Sequence, residues 1–166
     1  MITIDNFIKE QYGFIRPKPS WIKEKGWYCR VYLEYYDTIE ASFIYNAISS
    51  IDKTALFFYI PTNNQKIFFK KEKEIELSDI SNMVNMDDYD FSLNFAGITN
   101  YKEDYLYFKD AGNDFFMLFG TREFLYKAMP VDKKIYTVYY NEFYGNWASE
   151  AYDNILKKIW SEYLVC

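Results

Sequence analysis

Carboxylates are the side chains in this sequence that lie close enough together along the chain to act as a group. Seven of them fall between residues 87 and 114, accompanied by two lysines: Asp87, Asp88, Asp90, Glu103, Asp104, Asp110 and Asp114. The stretch carries a net charge of −5, which equals the net charge of the whole chain. Such a group could hold a hard cation, supply an acid–base pair, or create a field that attracts a basic partner.

The metal and acid–base interpretations have weak support. The run Asp87-Asp88-x-Asp90 offers oxygen ligands, but it lacks the glycine and the distal glutamate of a calcium-binding loop. Many acids could pair for glycoside hydrolysis, and nothing in the sequence selects one pair. We therefore expect no metal, no cofactor and no catalytic residue.

Histidine is absent from the chain. A Ser-His-Asp or Cys-His arrangement is therefore impossible, and the commonest general base near neutral pH is missing. The six glycines are scattered and form no phosphate-binding loop. The sequence thus favours a binding protein that is not an enzyme, while an enzyme that works with carboxylates alone remains an alternative.

Aromatic side chains lie among the acids, as they commonly do at binding hot spots. We predict that a basic partner contacts Asp87, Asp88, Tyr89, Asp90, Tyr101, Glu103, Asp104 and Tyr105. The alternative is a solvated acidic rim that keeps a chain with 22% aromatic residues soluble. A second possible contact surface is the row of Tyr28, Tyr32 and Tyr36.

Length and composition indicate a single α+β domain covering residues 1–166. No apolar run reaches the roughly 18 residues of a membrane span, and a pI near 4.9 argues against nucleic-acid binding. Cys166 is expected to be mobile, so no structural disulfide with Cys29 is predicted. We expect a cytoplasmic monomer or weak dimer that binds neither nucleic acid nor membrane.

Periodicity predicts an antiparallel sheet of about five to six strands with N-terminal and C-terminal helices packed on it. Residues 3–12 fit a first helix, and a wide apolar stripe that includes Trp160 follows Gly145-Asn146 and fits a last one. Between them we predict helices at 39–50 and 121–127, one helical turn at 79–83, and strands at 27–36, 54–60, 66–70, 91–96, 104–109, 115–119 and 134–140.

The strand predicted at 27–36 alternates between two kinds of side chain. Trp27, Cys29 and Val31 share an apolar face, which predicts a packing role for Cys29. The opposite face carries the tyrosine row, and either a partner or a helix could cover it.

The whole chain resembles, in type, bacterial immunity proteins that are paired with polymorphic or contact-dependent growth-inhibition toxins. It shares their small size, acidity, aromatic content and lack of histidine, and its stretches 115–125 and 154–164 are similar in character to such proteins. The resemblance implies neutralisation of a cognate toxin by tight binding, often of a basic nuclease domain, and it carries over no site residues. The alternative is a non-catalytic interaction or adaptor module, for example of phage or mobile-element origin.

Overall fold

The structure is a computed structural model that describes residues 1–10, 14–32, 38–61, 66–85, 94–109, 116–131 and 157–166. It is an α+β fold in which helices pack on a large antiparallel sheet, and a small two-stranded sheet lies near the N-terminus.

The elements follow one another in this order: a 3-10 turn at Ile4–Asn6, β1 (Phe7–Lys9), β2 (Ile15–Pro17), α1 (Pro19–Glu24), β3 (Tyr28–Tyr32), α2 (Thr38–Ile51), β4 (Thr54–Pro61), β5 (Phe68–Glu74), α3 (Leu77–Asn85), β6 (Asn94–Thr99), β7 (Leu106–Lys109), β8 (Phe116–Gly120) and α4 (Arg122–Ala128). Residues 157–162 are also helical and are called here the C-terminal helical segment.

Six of the described strands form the large sheet in the order β3-β8-β7-β6-β4-β5. Every neighbouring pair in it is antiparallel. Strands β1 and β2 pair separately with each other. Among the described strands, β3 and β5 therefore lie at the two edges of the large sheet.

Both faces of the large sheet are covered over its central strands. Helices α2, α3 and α4 cover one face, called here the helical face. Residues from the first 27 of the chain, called here the N-terminal arm, cover the opposite arm face together with the C-terminal helical segment. The central strands β7 and β8 are consequently buried at every position. Burial on two sides accounts for their near-continuous apolar sequences.

The predicted helix at residues 3–12 is wrong. Phe7–Lys9 is a strand that pairs with Ile15–Pro17, and a 3-10 turn precedes it. The pairing brings Phe7 and Ile15 together into the arm-face core. Burial of these apolar side chains outweighs the helical spacing that the local sequence suggests.

The other predicted elements differ less from the structure. Helices α2 and α4 coincide with the predicted ones, and the Thr121 hydroxyl caps α4 by accepting from the Phe124 amide at 3.2 Å. Helix α3 is longer than the predicted turn. Strand β5 starts later than predicted and runs through the charged residues 71–74. The predicted strand at 134–140 and the start of the predicted last helix lie outside the described residues.

Helix α4 covers the described part of the tyrosine row on β3. Tyr28 packs against the helical-face core, and Arg122 of α4 stacks over its ring at 4.4 Å. Arg30, on the same side of β3, is fully buried and lies 4.6 Å from the Tyr126 ring centroid. A helix therefore covers the row at Tyr28, whereas the side chain of Tyr32 and the whole of Tyr36 lie outside what the structure describes.

The close packing of Phe58 on Gly97 gives a stability test. The two residues are directly opposite each other on β4 and β6, and a Cβ at Gly97 would lie 2.5 Å from Cε1 of the Phe58 ring. We expect Gly97→Ala to lower the free energy of unfolding by about 1–3 kcal/mol, because the buried ring must shift. Denaturant titration measures this change.

A double-mutant cycle identifies the cause of that loss. In a Phe58→Leu background the smaller side chain leaves room for the added methyl group, so Gly97→Ala should cost less than half as much. Equal costs in the two backgrounds would contradict the packing explanation.

Candidate functional site

Four of the eight predicted contact residues lie at the turn that joins β6 to β7. Asn100 organises this turn: its side-chain oxygen accepts from the Asp104 amide at 3.0 Å, and its side-chain nitrogen donates to the Asp104 carboxylate at 2.9 Å. The Glu103 amide donates to the Asn100 carbonyl oxygen at 3.0 Å. Glu103 has a φ of 54°, in the left-handed region. These bonds fix the main chain of the turn between Asn100 and Asp104.

Tyr101 points outward from the turn. Its side chain is 62% exposed, and its hydroxyl donates to the Glu72 carboxylate of β5 at 2.6 Å. That hydrogen bond raises the pKa of Tyr101. The exposed Tyr101, three residues before Asp104 in the same turn, is therefore hydrogen-bonded to the carboxylate of Glu72.

Glu103 points inward and its charge is compensated. Its side chain is only 12% exposed and forms ion pairs with Lys25 at 2.7 Å and with the amino group of Met1 at 2.9 Å. Burial alone would raise the pKa of Glu103, but Lys25 and the amino group lower it overall. Glu103 ties the N-terminal arm to the turn, so it adds little to any field that reaches a partner.

Tyr105 is fully buried, so the prediction that it contacts a partner is wrong. Its hydroxyl donates to the Thr99 carbonyl oxygen at 3.2 Å, and the Thr99 hydroxyl donates to the Tyr105 carbonyl oxygen at 2.6 Å. Its ring stacks on Phe124 of α4 at 5.4 Å. Burial raises the pKa of the Tyr105 hydroxyl. Tyr105 is therefore a core residue of the helical face.

The remaining predicted contact residues, Asp87, Asp88, Tyr89 and Asp90, lie outside the described residues. Strand β6 separates them in the chain from the turn. Its ends, at Asn94 and Thr99, are about 17 Å apart at the usual rise of a strand. Proximity in the sequence therefore does not by itself place the two groups of acids on one surface.

Glu72 was missed as a candidate in the sequence. It lies in the run Lys71-Glu72-Lys73-Glu74, whose charges cancel along the chain. In the structure Lys73 pairs with Asp79 at 2.7 Å, while Glu72 accepts from Tyr101. Successive side chains of a strand point to opposite faces of the sheet. The alternating charges of residues 71–74 could therefore have indicated that Glu72 and its neighbouring lysines lie on different faces.

A second polar cluster surrounds Arg16 of β2. Arg16 is 3% exposed, and its Nε and Nη2 donate to Glu10 at 2.8 and 2.6 Å. Its other contacts join the arm to the C-terminal helical segment: Nη2 donates to Glu162 at 2.6 Å and Nη1 donates to the Tyr163 hydroxyl at 3.1 Å. Lys158 donates to the second oxygen of Glu10 at 2.9 Å.

This Arg16 cluster is a structural connection. Two carboxylates, Glu10 and Glu162, match the charges of Arg16 and Lys158. Burial alone would lower the pKa of Arg16, but Tyr163 and the two carboxylates raise it overall. Each of the three guanidinium nitrogens has a protein acceptor, so the cluster offers no vacant site for an anion.

The described ranges contain neither a metal-binding group nor a helix that could span a membrane. No group of three or more histidine, cysteine, aspartate or glutamate side chains in them is arranged to hold a metal ion. No helix in that part of the chain has the length and apolar character needed to cross a bilayer.

Comparisons with protein-family models, curated proteins and solved structures each returned no match. The geometry of the turn and the charges around it are therefore the basis for a functional assignment.

The inward position of Glu103 predicts a loss of stability in Glu103→Gln. Two ion pairs of a largely buried carboxylate disappear, so we expect the free energy of unfolding at pH 7 to fall by about 1–2 kcal/mol. The folded-state pKa of Glu103 is lowered, so its contribution is present above the unfolded value of about 4.3 and is lost as pH falls through the folded pKa. The difference between the two proteins should accordingly shrink on acidification.

Urea unfolding between pH 3 and pH 7 measures this difference. Glu123→Gln on α4 is the matched control, because Glu123 is 81% exposed and pairs with Lys127 one helical turn away. Its effect should stay below about 0.5 kcal/mol. A Glu103→Gln effect as small as the control's would contradict the structural role of Glu103.

Proposed function

We propose that this chain is a cytoplasmic immunity protein that binds and neutralises a cognate, basic toxin domain of the nuclease type. In this proposal residues 1–166 act as one α+β domain, as a monomer or weak dimer. The protein catalyses no reaction, and its partner is a protein, with no metal, cofactor, nucleic acid or membrane involved.

The exposure of Tyr101 carries the proposal. A large aromatic ring that is 62% exposed, with its hydroxyl already bonded to Glu72, combines apolar area with a satisfied polar group. Such side chains commonly anchor binding hot spots. The bonded turn holds the ring in place before a partner arrives, which reduces the entropy lost on binding.

The charges beside Tyr101 favour a basic partner. Glu72 is exposed and Asp104 is half-buried, while the charge of the neighbouring Glu103 is compensated within the protein. We define the turn surface as Tyr101, Asp104 and Glu72. The predicted contacts Asp87, Asp88, Tyr89 and Asp90 remain part of the proposal, and their three carboxylates would add to the negative field that attracts a basic partner.

Binding kinetics with the product of the gene directly upstream test this proposal. Asp87→Asn combined with Asp88→Asn should lower the association rate several-fold at low ionic strength and weaken its salt dependence, because steering depends on net charge. Tyr101→Ala should raise the dissociation rate about tenfold or more, because the anchor is lost.

Two controls separate binding from folding and from total charge. Glu123→Gln removes an exposed acid on α4 and should leave both rates unchanged. Glu103→Gln should also leave the association rate within about twofold, because its charge is already paired. Unchanged rates for both Asp87→Asn/Asp88→Asn and Tyr101→Ala would move the binding surface elsewhere.

The same preparation distinguishes an immunity protein from an adaptor module. Co-expression should protect cells from the upstream product, and Tyr101→Ala should reduce that protection. Stable binding of a product that has no toxicity would support the adaptor alternative instead.

A further inference from the structure

A short C-terminal strap, residues 164–166, lies along the outer edge of β3. The Cys29 amide donates to the Leu164 carbonyl oxygen at 2.9 Å, and the Cys166 amide donates to the Cys29 carbonyl oxygen at 3.3 Å. Cys29 and Val165 form an isolated parallel bridge. The strap thus pairs with the main-chain groups of Cys29 that face away from β8. The expectation that Cys166 is mobile is wrong, because Cys166 is buried.

Two anchors hold the ends of the strap. Tyr163, just before it, is buried, and its hydroxyl donates to the Pro17 carbonyl oxygen of the N-terminal arm. At the far end, Arg30 Nε donates to the main-chain oxygen of Cys166 at 2.8 Å. Between the anchors, Leu164 is 57% exposed, so its side chain contributes little burial.

Arg30 links the strap to helix α4. The same guanidinium that holds Cys166 donates through Nη1 to the Met129 carbonyl oxygen at the end of α4. A cation at a helix C-terminus is favourable, because it satisfies a carbonyl oxygen and complements the helix dipole. The closed strap is therefore connected both to the sheet edge and to the helical face.

We propose that the strap is a latch on the β3 edge, which opens as a unit while the sheet stays folded, hinged at Tyr163 and released at Arg30. The described bonds that cross its boundary come from Cys29 and Arg30, whereas β3 and β8 pair over five residues, Tyr28–Tyr32. Local openings that break few interactions have the lowest free energies in a folded protein.

The open latch changes two properties of the edge. It releases the main-chain groups of Cys29, and an unpaired edge is the feature through which sheets join other strands. It also uncovers the free thiol of Cys166, which belongs to the helical-face core. Cys29 stays in the arm-face core, where burial, with Cys166 adding to it, raises the pKa of its thiol and keeps it unreactive.

Native-state hydrogen exchange of the full chain, followed by NMR, tests the latch. The Cys29 amide bonds to the strap, whereas the Arg30 amide faces its pairing partner Leu118 on β8. We expect the Cys29 amide to exchange roughly 100-fold faster than the Arg30 amide, at a rate that low denaturant concentrations do not change. The Arg30 amide should exchange through global unfolding.

A pair of variants at one position isolates the hydrogen bond. Cys166→Pro removes the amide that donates to Cys29 and should raise the exchange rate of the Cys29 amide roughly tenfold without changing that of Arg30. Cys166→Ala keeps the amide and removes the thiol, so it should raise the Cys29 rate much less than Cys166→Pro does.

Equal protection of the Cys29 and Arg30 amides, with the same denaturant dependence in the unchanged protein, would overturn the proposal. That measurement decides the question even if Cys166→Pro does not fold. If Cys166→Pro and Cys166→Ala raise the exchange rate of the Cys29 amide equally, burial of the Cys166 side chain holds the strap closed. The proposal that main-chain hydrogen bonds hold the latch would then be wrong.

Discussion

Burial of both faces of one sheet is the constraint on which the rest of this structure depends. Helices cover one face and the N-terminal arm covers the other, so a side chain on a central strand enters a core whichever way it points. Polar groups in that position must find partners inside the protein, because burial without a partner is costly. Arg30 shows that the same holds on the edge strand β3: it is fully buried, and its guanidinium donates to the main-chain oxygens of Met129 and Cys166. The same constraint explains why aromatic side chains, which fill large volumes, are so abundant in this sequence.

A sheet covered on both faces leaves its ends and edges for binding. In the turn after β6, residues close together in the sequence therefore differ sharply in exposure. Tyr101 is largely exposed, while Tyr105, at the end of the same turn, lies in the helical-face core and Glu103 between them pairs with the N-terminal arm. Aromatic and acidic residues in one short stretch thus serve two purposes, with one group holding the fold and the other facing solvent. A partner that recognises this end of the sheet would meet a rigid surface, because the Asn100–Asp104 bonds and the arm fix the turn from behind.

The sequence indicated the α+β class and the antiparallel sheet because both depend on local periodicity. Helix α4 was predictable from Thr121, whose hydroxyl caps it, and α2 from its apolar spacing. The N-terminal arm was not predictable in this way. Phe7 follows helical spacing, but it pairs as a strand because its partner Pro17 and the sheet beneath it supply more burial than a short helix would. Such long-range competition is not visible in a local window. The inward orientation of the Glu103 side chain was unpredictable for the same reason, because its partner Lys25 is 78 residues away in the chain.

The distribution of charge in the folded chain also differs from the distribution along the sequence. Counting along the chain assigns the whole excess of negative charge to residues 87–114 and makes the rest neutral. In space, Glu103 is compensated by groups from the arm, while Glu72, from a run that sums to zero, stands beside Tyr101. The field that a partner meets depends on which charges are paired at close range, because a paired charge has little effect at a distance. The exposed carboxylate bonded to Tyr101 thus comes from β5, whereas Tyr101 itself lies in the turn after β6, 29 residues further along the chain. The negative field at Tyr101 depends on how far the N-terminal arm and Lys73 neutralise the neighbouring carboxylates. The number of acids in any one segment matters less.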